Sequence, residues 1–129
     1  MTHPKRGVDD PVLRLFPGAG DLNYNNQVSG GWILSQMDLA GGMVAFKRAG
    51  GPVVTAGISD MDFAQPLLFG DIASLYVHIE KVGRTSITTL VEVEAERRGE
   101  KKPMPMARGR FTYVAIDGQA KPRPVDLEV

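Results

Sequence analysis

The chain has 129 residues, with fifteen Lys and Arg balancing fifteen Asp and Glu, so no global field recruits nucleic acid or an acidic membrane surface. That length suits one domain with a real core and is short for two. Having no Cys, the sequence excludes disulfides, thiolate metal sites and a cysteine nucleophile.

Residues 1–12 are polar, contain Pro4 and Pro11, and read as a flexible N-terminal arm. The stretch MTHPKRGVDDP has no apolar run of the kind a secretory signal needs, so a cytoplasmic location is expected. Residues 12–16 predict a short strand, and PGAGDLNYNNQVSG a long loop of turn formers. Residues 31–48 have the length of a helix. Ile33, Met37, Ala40 and Val44 form one stripe, and Trp32, Leu34, Leu39, Met43 and Phe46 widen it almost all round, a pattern that belongs in the middle of a core. Gly50, Gly51 and Pro52 end it.

The apolar run over residues 28–46 approaches membrane-spanning length. Asp38 near its centre would cost about 2.5–3.5 kcal/mol on insertion, Gln36 adds to that, and there is no second span, so a buried helix is expected and no membrane partner.

Four strands are predicted after the helix, over residues 53–63, 72–82, 86–96 and 104–116. In the second of these Ala73, Leu75, Val77 and Ile79 alternate with Ser74, Tyr76, His78 and Glu80; in the third Glu92, Glu94 and Glu96 face water. Gly109 in the last marks a bulge or a close approach. One helix followed by four strands predicts an α+β fold, an antiparallel sheet curled round a single helix, as one domain over residues 13–125 with a short tail at 126–129. The long sheet edges favour pairing with a second copy.

His3 and His78 have no partner at ligand spacing, so no metal site is expected. The GAG of residues 18–20 completes no nucleotide fingerprint, and no Gly-x-Ser-x-Gly elbow occurs. Asp38 remains, the one charge in GGWILSQMDLAGGMVAF. Helical spacing puts Leu34 and Ser35 one turn before it and Gly41 and Gly42 one turn after. Each mid-helix glycine costs about 1 kcal/mol relative to alanine. Such a cost is explained if missing side chains open a slot through which a ligand or another backbone reaches the carboxylate. Ser29, Gly30 and Gly31 leave unobstructed N–H groups at the positive end of the helix, suited to an oxyanion. The plain alternative is a structural acid bonded to a loop or serine, with the glycines serving close packing between subunits.

Two further segments, read with the helix, resemble a known family. GGWILSQMD with LAGGMVA, then MDFAQPLLFGDIASLYVHIEKVGRTSITTLVEVEAE, then GRFTYVAIDGQAKPRPV, are similar in order and wording to the hotdog-fold acyl-CoA thioesterases of the bacterial YciA type and their acyl-CoA hydrolase relatives. The resemblance runs from about residue 13 to 125 and implies a hotdog fold. Two subunits would join their sheets edge to edge, and the homodimers would assemble into a hexamer, a trimer of dimers.

It also implies acyl-CoA thioester hydrolysis with Asp38 as general base or nucleophile, an amide N–H of Gly30 or Gly31 holding the thioester oxygen, and Asn23 placing the water or the acyl carbonyl. No cofactor is implied beyond the coenzyme A of the substrate. The family commonly reads NGDIFGGW where this chain reads NNQVSGGW, with Gln27 in place of an acid and Ser29 in place of an aromatic or histidine. Ser29 leaves more room, and Tyr24, Met61 and Phe63 are candidates to line the acyl pocket. The family uses the region of Gly83, Arg84, Thr85 and Ser86 to hold coenzyme A; a guanidinium fork, two hydroxyls and a tight turn suit phosphate, although a plain hairpin turn reads the same way. Arg97, Arg98, Lys101, Lys102, Arg108 and Arg110 form a local basic cluster, mostly at a solvated hairpin tip. Two other functions compete: a non-catalytic acyl-CoA-binding module, and a hotdog hydratase or dehydratase, which would need a histidine near the helix start where this chain has none.

Overall fold

A computed structural model describes residues 10–126; most of the expected N-terminal arm and residues 127–129 of the tail lie outside the described residues. Strand β1 (Leu13–Leu15) and a 3-10 turn (Ala19–Asp21) precede the helix α1 (Gly30–Ala49), after which come β2 (Val53–Phe63), β3 (Ile72–Val82), β4 (Ser86–Glu96) and β5 (Met104–Ala115). Every boundary is within one residue of the sequence expectation. The helix begins where Ser29 Oγ accepts the Trp32 N–H at 3.1 Å and ends where Gly50 takes a left-handed φ of 71°. Lys47 and Arg48 stand in its last turn, where the carbonyl ends favour positive charge. Among the described residues no helix is long and apolar enough to cross a membrane.

The five strands form one antiparallel sheet in the order β1-β3-β4-β5-β2. β3, β4 and β5 follow one another as hairpins, while β2 crosses to the far side of β5, Val53 opposite Ala115. This makes β2 an edge, eleven residues long and mostly exposed. The inward face of the sheet supplies Leu75, Ile87, Val91, Phe111 and Tyr113, which pack on Ile33, Met37, Ala40 and Ala45 of the helix.

Three expectations need correction. The helix is not covered all round within the chain: the sheet takes one side, and Leu39, Met43 and Phe46 remain 53%, 45% and 53% exposed. Glu92 and Glu94 do not face water; they are 7% and 1% exposed on the outer face of a central strand, where neighbouring side chains cover them. Tyr76 donates its hydroxyl to Glu94 at 3.2 Å, and His78 Nε2 lies 3.5 Å from Glu92. The basic cluster divides: Arg97 is paired with Asp71 and Arg110 with Glu80 and Asp60. At Gly109 the expected close approach is found. A Cβ there would lie 2.5 Å from the Met61 sulfur, because the opposite strand bulges between Ser59 and Asp62.

The turn between β2 and β3 depends on Asp71, which is 2% exposed. Its carboxylate accepts the Leu68 N–H at 2.8 Å and two bonds from Arg97, at 2.9 and 2.7 Å, and this pairing holds the guanidinium above its ordinary pKa. Arg97→Ala leaves that buried charge without its partner and is expected to cost about 3 kcal/mol in urea unfolding. Asp71→Ala with Arg97→Ala should cost less than the two single changes added together.

Candidate active site

Asp38 lies two turns into α1, on the border between the face packed against the sheet and the exposed face. Its Oδ1 accepts the Thr55 hydroxyl at 2.8 Å and the Tyr113 hydroxyl at 3.1 Å; the Tyr113 oxygen is also 2.9 Å from the Asp38 carbonyl oxygen, to which it donates. Three elements therefore meet at one carboxylate, α1 providing it, β2 and β5 fixing it. Oδ2 makes no hydrogen bond among the described residues. Tyr113 is buried, and its hydroxyl is held far above the usual tyrosine range, first by that burial, then by the negative charge of Asp38 and the hydrogen bond to it. The carboxylate opens into a cleft of about 680 Å³, otherwise walled by Leu39, Met43, Phe46, Pro52 and Val53 with Gly42 at its side.

The slot expected beside Asp38 is partly filled. A Cβ on Gly41 would stand 2.5 Å from the Tyr113 oxygen and 3.2 Å from Thr89 Oγ1, so this glycine admits the phenol from the chain's own sheet and not a ligand. Gly42 does border the cleft.

Asn23, Gln27, Gly30 and Phe63 come together elsewhere, in a second depression of about 490 Å³ with Ile33 and residues 64–67. Here Asn23 Oδ1 accepts the N–H groups of Asn25 at 2.8 Å and Gln27 at 3.1 Å, which ties the loop before the helix; its amide nitrogen makes no hydrogen bond among the described residues. Ser29 Oγ takes the Trp32 N–H and Ser29 O the Ile33 N–H, leaving Gly30 and Gly31 as the uncapped donors of the first turn. Phe63 lies near Gly30, its ring 3.7 Å from where a Cβ would be. Gly30 and Asp38 are eight residues apart, about 12 Å along the helix axis. One chain thus carries both sets of groups and does not bring them together.

Comparisons with known proteins supply the family. The family model described as the thioesterase superfamily matches residues 25–102. The chain belongs to the thioesterase superfamily. It is 34% identical to the acyl-CoA thioester hydrolase YciA of Escherichia coli over 122 residues, 92% of this chain and 92% of the relative. Among solved structures it is similar to the hexameric thioesterase y2039 from Yersinia pestis, with a TM-score of 0.89 at 34% identity, covering 98% of this chain and 100% of that one. The hexameric hotdog fold thioesterase Cj0915 of Campylobacter jejuni gives a TM-score of 0.86 at 34% identity, with 91% of this chain and 90% of that one covered. The helix and curled sheet described above are a hotdog fold.

In this thioesterase-family chain the remaining candidates lie apart from both depressions. Tyr24 is 97% exposed and lines neither; Met61 packs at the bulge against Gly109. The Gly83–Ser86 turn is closed by the Gly83 N–H on Ser86 O at 2.8 Å, and Arg84 O accepts the Val125 N–H at 2.8 Å. It stands at the same end of the sheet as Pro52 and Val53, with β5 between, since Thr85 O accepts the Ala115 N–H and Ala115 is opposite Val53. Thr55 and Tyr113 were not singled out from the sequence. For Thr55 nothing in a half-polar strand marks which hydroxyl reaches the helix. Tyr113 carried a usable signal: it alternates with Phe111 and Ala115 on the inward face, and a buried tyrosine hydroxyl needs a partner.

Proposed function

We propose that Asp38 of one copy, with Gly30 and Asn23 of a second, hydrolyses acyl-CoA thioesters. The single observation that carries this reading is a carboxylate on the wall of an apolar cleft, anchored to the sheet through one oxygen while the other makes no hydrogen bond among the described residues. Its membership of the thioesterase superfamily and likeness to acyl-CoA thioester hydrolases supply the substrate class. In the reaction Oδ2 either takes a proton from a water that attacks the thioester carbon or attacks that carbon itself. By the first route water's oxygen replaces the sulfur at the carbon; by the second Oδ2 replaces it, giving a mixed anhydride that water then hydrolyses to restore Asp38. By either route the C–S bond breaks, the thiolate takes up a proton from the reacting water, and a carboxylic acid and free coenzyme A leave. Charge develops on the thioester oxygen as the carbon becomes tetrahedral, and the Gly30 amide at a positive helix end stabilises it, with the Asn23 amide nitrogen as a further donor.

These groups must come from two copies, because about 12 Å of helix separates them within one. A two-fold axis between antiparallel helices brings each helix start beside the other's middle, and the exposed β2 edge offers the strand through which two sheets join. Homodimers built this way assemble into hexamers, as the similar Yersinia pestis and Campylobacter jejuni thioesterases do. The Gly83–Ser86 turn is proposed to hold the nucleotide end of coenzyme A, and Phe63, Met61, Tyr24, Gln27 and Ser29 the acyl side. No cofactor is required beyond the coenzyme A of the substrate, and a cytoplasmic location fits that substrate.

Asp38→Asn keeps the shape of the side chain and removes the base and nucleophile, so free-thiol release from a panel of acyl-CoAs should fall to near background while assembly is kept. Parent-like turnover would make Asp38 structural and put the catalytic group elsewhere. Asp38→Asn and Asn23→Ala, each inactive alone, should rescue one another when unfolded together and refolded as an equal mixture. Each mixed dimer regains one intact site, so about a quarter of native activity returns. A mixture no more active than its parents, with subunit exchange verified by native mass spectrometry, would mean that each site is built within one chain.

A further inference from the structure

We propose that Tyr113 is a positioning residue for this reaction, its hydroxyl fixing the carboxylate of Asp38 so that Oδ2 alone meets the substrate. The proposal rests on the reading of Asp38 given above and adds a group that never touches the thioester.

Packing does not require the hydroxyl. Tyr113 is 1% exposed, and its ring packs under Gly41 and Gly42 as part of the core. A phenylalanine would fill the same space without burying a polar oxygen, which is costly unless it is bonded. Among the described residues the oxygen is bonded only to Asp38, at 2.9 Å to the main-chain carbonyl and 3.1 Å to Oδ1. Sharing one proton between these acceptors ties the side chain of Asp38 back to its own backbone, so its torsions are restrained from the sheet side. Thr55 holds the same oxygen from β2 at 2.8 Å. With two donors on Oδ1, the unbonded oxygen is the better base and its direction is set.

Gly41 belongs to the same arrangement. Its missing side chain leaves the space that the phenol oxygen occupies, 2.5 Å from where a Cβ would stand. The helix therefore accepts an unfavourable residue at the one place where the hydroxyl has to pass. Burial and the neighbouring carboxylate keep the phenol protonated, so it remains a donor through any pH at which the enzyme works. Among the described residues Tyr113, from β5, is the one titratable group that lines this cleft beside Asp38; the other lining residues, from α1, β2 and the turn between them, are uncharged.

The test is Tyr113→Phe in the intact assembly, with kcat and KM of hydrolysis measured on one acyl-CoA. Loss of a hydrogen bond to a charged acceptor should lower kcat about 10- to 100-fold and leave KM within about three-fold. Gly41→Ala reaches the same hydroxyl while keeping the ring, and should reproduce the fall in kcat at a nearly unchanged KM; its added cost in the Tyr113→Phe background should be much smaller than alone. This variant also decides the matter if Tyr113→Phe fails to fold. Parent-like kcat, or a KM that rises as much as kcat falls, would reduce Tyr113 to a packing role. If Asp38→Asn is nonetheless inactive, the reading of Asp38 stands without it.

Discussion

Everything distinctive in this structure depends on a mismatch of coverage. The twenty-residue helix is apolar almost all round, and the five-stranded sheet can cover only one of its sides. Burial of Ile33, Met37, Ala40 and Ala45 against the sheet stabilises the fold, while Leu39, Met43 and Phe46 are left for something else to cover. Asp38 stands on the line between these two faces. A carboxylate deeper in the core would have lost too much hydration, and one farther out would have been free to rotate. On the boundary it gains two hydroxyl donors from the sheet and keeps one oxygen toward the cleft.

The same mismatch accounts for how the site is divided. A helix start offers bare N–H groups, and a helix middle offers side chains; no single straight helix can point both at one atom. In the proposed dimer, pairing two antiparallel copies removes the difficulty and covers the exposed apolar face in the same step. Ser29 shows how local folding and site chemistry are combined. Its hydroxyl caps the helix at Trp32, which accounts for a small polar residue at that position, next to the Gly30 amide.

Much of this was legible in the sequence because its signals are local. Ser29 and the Gly50–Gly51–Pro52 stop delimit the helix, alternation delimits β3, and a lone acid amid small and apolar residues drew attention to Asp38. What was not legible depends on contacts distant along the chain. The crossing of β2 to pair with β5 could not be read from periodicity, and with it went Thr55 and Tyr113, which are 17 and 75 residues from Asp38. Gly41 was read correctly as a residue with a reason, but the occupant of its space was a side chain from β5 and not a ligand. Glu92 and Glu94 alternate as solvent-facing residues should; the side chains that cover them come from neighbouring strands, Tyr76 reaching Glu94 and His78 approaching Glu92.

The most direct test of the shared site is a crystal structure of the Asp38→Asn variant soaked with an acyl-CoA it cannot turn over. The account predicts the thioester carbon about 3–3.5 Å from the side chain at position 38 of one subunit. Its carbonyl oxygen should lie about 2.7–3.1 Å from the amide nitrogen of Gly30 in the partner subunit. A thioester bound away from position 38, or one whose carbon and oxygen are both held by the same chain, would contradict it.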